Sequence, residues 1–236
     1  MCCCAVAHPV RRDRESEALS GPIQCRSVAS CTAWWPSILV LCVLLGGCGS
    51  PLLKPAAQQP ARNYLLQWPG DEAEAEQSPR RDSLLVSPIL SAPGFDSSDM
   101  AYMRKPHEIE YFAHHRWVDA PARMLDPLLV RAAEQSGLFR HVIEAGSGSG
   151  ADLRLDSRLL YLQQVWRLDP SELQLALRVT LTEVASARVV ASQTLRVGEA
   201  IEGRTPYAGV EAANHAVARL LAALQSFLRQ HVHSTD

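Results

Sequence analysis

The chain has 236 residues, with 23 Lys and Arg against 25 Asp and Glu, for a formal net charge of −2. No block of basic residues stands in its body, which argues against a nucleic-acid footprint. All seven cysteines (Cys2, Cys3, Cys4, Cys25, Cys31, Cys42 and Cys48) precede residue 49, so the rest of the chain offers neither a disulfide framework nor a cysteine metal site.

In chain order, the first signal is the apolar run Ile38 to Leu45, which closes in Leu45-Gly46-Gly47-Cys48. It is far shorter than the ~20 residues a membrane-spanning helix needs, and the two glycines suit a cleavage site. The pattern looks like a bacterial lipoprotein signal: residues 1–47 are removed and Cys48 becomes the lipidated residue, its thiol carrying a diacylglyceride and its new amine an acyl chain. An ordinary secretory signal that happens to end on a cysteine is the plainer alternative. Gly49, not Asp, follows Cys48, which implies sorting to the outer membrane, and three acyl chains at about 0.8 kcal/mol per buried CH₂ exceed what stable anchoring needs. The leader before the apolar run is unusually long and contains Arg11-Arg12-Asp13-Arg14-Glu15. A start codon placed too early or a cytoplasmic extension accounts for it.

Residues 48–62 read as a lipid-anchored tether and 63–232 as one folded domain. The Pro, Ala, Gln and Glu content of the first stretch buries too little apolar surface to offset ordering entropy. Gly70–Arg81, with its run Asp71-Glu72-Ala73-Glu74-Ala75-Glu76, reads as an exposed loop, with a docking patch as the sharper alternative. Tyr64–Trp68 and Leu84–Leu90 are expected strands, and Met100–Arg104 and Ile109–Ala113 a hairpin broken at Lys105-Pro106-His107. Asp119-Ala120-Pro121 signals a helix start, and Met124, Leu125, Leu128, Leu129, Ala132 and Ala133 keep helical spacing until Gly137. Pro127 leaves a later start open, with Asp126 as the cap.

Beyond Ile143 the period changes to two. The alternation from Leu153 to Val165, from Leu173 to Leu181 and over Arg188–Val197 predicts an antiparallel meander with one solvated face, turning at Asp169-Pro170-Ser171. Val210, Val217, Leu220, Leu221, Leu224 and Leu228 then predict a closing helix of roughly five turns. The expected fold is α+β: a single domain, largely antiparallel or mixed sheet, with two helices packed on one face.

Several residues in this order resemble the ABC-type transport auxiliary lipoproteins, the family typified by the lipoprotein component of the paraquat-inducible lipid transport system. They are Tyr102, then Tyr111 running into Trp117, Pro121 opening a helix, Ser136-Gly137 with Phe139, and Tyr64-Leu65-Leu66 as a first strand. The resemblance spans about Asn63 to Arg229. It implies a non-enzymatic outer-membrane accessory component of an ABC-type, MCE-dependent lipid transport system. Its partners would be an MCE-domain protein, the ABC permease and ATPase complex, and outer-membrane lipid through the acyl anchor. The family also implies self-association into a ring. Tyr102, Tyr111, Trp117, Pro121 and Phe139 are candidate interface or core residues, core packing being the simpler role for Tyr102 and Trp117. A structural or assembly lipoprotein of the outer membrane, linked to no transporter, is the alternative function.

Other signals carry less. Gly146-Ser147-Gly148-Ser149-Gly150-Ala151 fits the G-x-G-x-x-A pattern, but a strand follows where a phosphate site needs a helix. His107, His114, His115 and His141 lack metal-ligand spacing, and His231 and His233 fall in an expected frayed C-terminus. No G-x-S-x-G elbow accompanies Ser147 or Ser149. No cofactor, metal ligand or catalytic residue is therefore expected, and Glu108 and Glu110 read as solvated surface carboxylates.

Overall fold

The alternating leucines of the meander form the centre of the molecule. In a computed structural model, which describes residues 60–70, 79, 81–146, 150–166 and 169–232, strands β7 (Leu153–Val165), β8 (Glu172–Glu183) and β9 (Arg188–Ala200) pair antiparallel over nearly their full lengths. Their register sets Leu159, Leu177 and Leu195 side by side, and Leu162, Leu175 and Val197 in another row. These leucines and valines are buried, as expected where one sheet face packs on helices. Cys48, the acidic run at 71–76 and residues 147–149 of the glycine loop lie outside the described residues.

Parallel pairing enters on the other side of β7. Strands β2 (Arg81–Val86), β3 (Leu90–Ser91) and β4 (Asp99–Lys105) line that edge one after another, all parallel to β7. Beyond β2 lies β6 (Phe139–Glu144), also parallel; beyond β4 lie its antiparallel hairpin partner β5 (Glu108–Trp117) and then β1 (Arg62–Tyr64). The described residues thus give a nine-stranded mixed sheet, and the fold is α+β as expected.

Helices α1 (Pro121–Gln135) and α2 (Pro206–His231) pack against each other on the leucine face. The Gln225 amide of α2 donates to the Ala132 carbonyl of α1 at 3.1 Å. Leu125, Leu129, Val217, Leu220, Leu221 and Leu224 are all but completely buried in one cluster with the sheet leucines. The α2 stripe extends beyond the expected five turns: its 26 residues make about seven. Thr205 caps it by accepting the Ala208 N–H at 3.1 Å, and His231, expected in a frayed end, is the last helical residue, tilted against the Phe227 ring at 4.9 Å.

Several boundaries differ from the expected ones, each for a local reason. Strand β1 stops at Tyr64 and does not reach Trp68. The chain is diverted there because the Gln67 N–H donates to the Asn214 side chain at 2.6 Å and Arg131 donates to the Trp68 and Pro69 carbonyls. The expected strand Leu84–Leu90 is two strands, β2 and β3, separated by Ser87-Pro88-Ile89, since proline cannot donate to a ladder. Asp119 is not the N-cap of α1. Ala120 holds that position without a side-chain cap, while Asp119 accepts the Ala120 N–H and pairs with Arg123. Helix α1 runs through Pro127 without restarting and ends at Gln135 with Ser136 as C-cap, just before Gly137, whose φ of +67° suits a residue without Cβ.

Asp126 takes a different role from a cap. Its carboxylate turns to the β2–β3 break and accepts the Ile89 N–H at 2.7 Å. Burial pushes its pKa up, and the charge of Glu144 adds to this, against the opposing Ile89 bond and Arg123. A carboxyl raised in the fold contributes full stability below its ordinary value of 3.8 and loses it as pH rises through the raised value. Asp126→Asn keeps an oxygen for Ile89, so its thermal midpoint is expected to exceed the parent's at pH 7 and to converge with it near pH 3. Melts at the two pH values check this, and a gap that widens toward acid contradicts it.

Candidate functional site

The sheet extends past the N-terminal end of α2, and this uncovered part of the helix-bearing face carries a strip of rings. Its placement follows from pairing. Tyr102 sits opposite Gln164 and Glu110 in the sheet, and Gln164 faces the first turns of α2, its amide donating to the Pro206 carbonyl at 3.4 Å. Two residues on, Trp166 shares that face. Phe112 and His115 join it because β5 is irregular: Asp99 pairs with Arg116 while Ala101 pairs with Tyr111, and the extra residues bulge so that both rings point the same way.

The rings form a continuous chain. Tyr207, the second residue of α2, lies 6.0 Å from Tyr64, and Tyr64 stacks nearly parallel on His115 at 5.8 Å. His115 is 6.0 Å from Phe112, which lies 4.4 Å from Tyr102 and 6.0 Å from Trp166. Such separations fall in the favourable range for offset and tilted aromatic pairs. Five of the six rings are half-buried and Tyr207 is 53% exposed.

Polar contacts fix the strip. The Tyr102 hydroxyl donates to Glu110 at 2.9 Å, and Arg104 grips the same carboxylate, its Nε at 2.7 Å, while its guanidinium lies over the Tyr102 ring at 5.7 Å. Arg104 holds Glu110 below the usual carboxylate range, and the Glu110 bond raises the Tyr102 hydroxyl above its ordinary value. Glu110 is therefore ionised and Tyr102 protonated at neutral pH. Burial lowers the His115 pKa, with Arg62 and His114 adding to the effect, and a neutral His115 can accept the Tyr64 hydroxyl at Nδ1, 2.9 Å away. Trp166 Nε1 donates to Gln164 Oε1 at 3.0 Å. The site thus presents ring faces held by fixed hydrogen bonds, an arrangement suited to contact.

Two open grooves stand out, and one of them reaches the strip at Trp166. One, of about 420 Å³, runs from Trp166 past Pro170 and Ser171 to Ile201 and Arg204. The other, of about 480 Å³, lies between Gln67 and the Glu211, Asn214 and His215 face of α2.

The residues singled out in the sequence are dispersed. Tyr102 is in the strip. Trp117 is 3% exposed and Phe139 is 7% exposed, both in the core. Pro121 is buried in the first turn of α1, and Tyr111 lies on the opposite sheet face from Tyr102, donating to the Gly94 carbonyl at 3.0 Å. Glu110, expected as a solvated carboxylate, is the anchor of the Tyr102 and Arg104 network. Trp166 and Tyr207 had no motif to mark them. Only the parallel alignment of β4 with β7 brings Trp166 to Tyr102.

The family profile of the ABC-type transport auxiliary lipoprotein component matches residues 64–225, a span that contains every ring of the strip. The chain belongs to the ABC-type transport auxiliary lipoprotein family. Among solved structures, this auxiliary lipoprotein is similar to the Xanthomonas campestris protein XCC0632, at 20% identity and a TM-score of 0.58, over 72% of this chain and 93% of that one. It is also similar to an uncharacterised protein at 11% identity and a TM-score of 0.57, over 72% and 99% of the two chains. Both likenesses show the fold. No curated protein sequence matches the auxiliary lipoprotein.

Proposed function

We propose that the protein is a non-enzymatic outer-membrane lipoprotein, acylated at Cys48, that serves an MCE-dependent ABC lipid transport system by docking on its periplasmic MCE assembly. The observation that carries this reading is the match to auxiliary components of ABC-type transport over residues 64–225. Gly49 after Cys48 supports sorting to the outer membrane, and ring self-association follows from the same family reading.

The sheet supplies a surface for docking. Strand β9 pairs only with β8 among the described residues, which leaves a 13-residue edge of alternate N–H and C=O groups. An unpaired edge accepts an added strand from a partner, and Val189, 56% exposed, stands at its start. Crossing from β1 through β5, β4, β7 and β8 to β9 takes five strand spacings, about 24 Å at the usual separation. In strand order the β9 edge is the opposite end of the sheet from β1, and its N-terminal end at Val189 is the part away from the groove that Gln67 shares with Glu199 and Ala200.

The experiment is recovery of the acylated full-length protein, tagged after Asp236, from mildly crosslinked envelopes, with bound proteins identified by mass spectrometry. An MCE protein or its permease is the expected companion. Recovery of outer-membrane assembly components alone would favour a structural lipoprotein linked to no transporter.

A further inference from the structure

We propose that the aromatic strip rests against the phospholipid headgroup region of the membrane that holds the anchor. This rests on the reading of Cys48 as the acylated residue.

The folded part opens with β1, the outermost strand on its side of the sheet, and Tyr64 at the end of β1 belongs to the strip. Cys48 precedes Arg62 by 14 residues. That length reaches at most about 50 Å when fully stretched. Entry at β1 favours the part of the domain beside β1 as the part that meets the bilayer, and the strip begins there at Tyr64.

Tyr64, Tyr102, Tyr207 and Trp166 each pair an apolar ring with a hydroxyl or indole N–H, the combination that favours the boundary between acyl chains and water. The apolar surface continues around the same edge. Leu65 and Val118, 51% and 50% exposed, adjoin each other where the Val118 N–H donates to the Tyr64 carbonyl. Exposed Arg62, beside Tyr64 in the same strand, adds a cation that a lipid phosphate can meet. Helix α2 begins at Pro206 within the strip, and the rings stay partly exposed, Tyr207 the most at 53%.

The test places a photoactivatable p-benzoylphenylalanine in the full-length protein in cells whose phospholipids carry radioactive phosphate. Three positions are compared: Tyr207 in the strip, Val189 on the far edge, and Leu52 close to Cys48. Irradiation is expected to give a labelled lipid adduct from position 207 at least fivefold above that from 189. A yield at 207 no greater than at 189, or adducts there with protein alone, overturns the proposal. If position 52 still labels in that case, the anchor stands and only the strip's role is lost. If position 52 also fails and Cys48 incorporates no labelled palmitate, the anchor reading falls and takes the proposal with it.

Discussion

Trp117→Ala is expected to destabilise the fold by about 3–5 kcal/mol, the range for emptying a buried aromatic site. In a domain of this size that lowers the thermal midpoint by roughly 6–20 °C. The side chain is 3% exposed and lies in the main cluster with Met100 and the helix residues. Its strand position is fixed on both sides, by pairing with Tyr64 of β1 and by its N–H donating to the Ser98 carbonyl at 2.8 Å. The surrounding backbone therefore has little freedom to close the cavity. Trp117→Phe should recover a substantial part of the loss. Thermal unfolding followed by circular dichroism measures both, and an unchanged midpoint for the alanine variant, accompanied by loss of partner binding, would assign Trp117 to an interface.

Gly209→Val is expected to cost about as much, roughly 2–5 kcal/mol, from overpacking together with a displaced buried amide. A glycine inside a helix usually costs about 1 kcal/mol relative to alanine, so its presence in α2 needs a reason. The reason is close approach: a Cβ at Gly209 would overlap the Gln164 amide. Gln164 is 2% exposed and cannot swing away without breaking its bonds to Trp166 and Pro206. The effect should reach the strip, so Trp166 emission is expected to shift along with the loss of stability. Combining Gly209→Ala with Gln164→Ala should restore most of what Gly209→Ala alone loses, because the two sites act on each other directly. Additive losses would place the cost elsewhere.

The pattern of success in reading the sequence has physical causes. Alternation over Leu153–Val165 and Leu173–Leu181 reported the meander because those strands bury one face only, and the stripe of α2 was visible because both ends of the helix keep its period. Parallel contacts left no such trace. Strand β6 immediately follows Gly137 and is short, and its pairing with β2 spans more than fifty residues of chain, beyond what local periodicity records. Capping failed at Asp119 and Asp126 for a related reason: each carboxylate found a partner better placed than a helix N–H, namely Arg123 for one and Ile89 N–H across a strand break for the other.

The site was legible only in part. Tyr102 and Tyr64 carried a family resemblance, yet three of their companions, Phe112, Trp166 and Tyr207, come from β5, the residue after β7 and α2. Trp117 and Phe139 resembled the family pattern equally well, and both are core residues. Family resemblance in an aromatic position follows packing as readily as contact, and burial separates the two.

Docking on an MCE assembly, as proposed, requires this chain to work in the same lipid-transport step as that assembly. The most direct measurement is epistasis: the rate of labelled phospholipid exchange between the two membranes in cells lacking this protein, lacking the MCE protein, or lacking both. Each single loss is expected to slow exchange, and the double loss is expected to be no slower than loss of the MCE protein alone. An unaffected rate without this protein, or losses that add in the double strain, would contradict it.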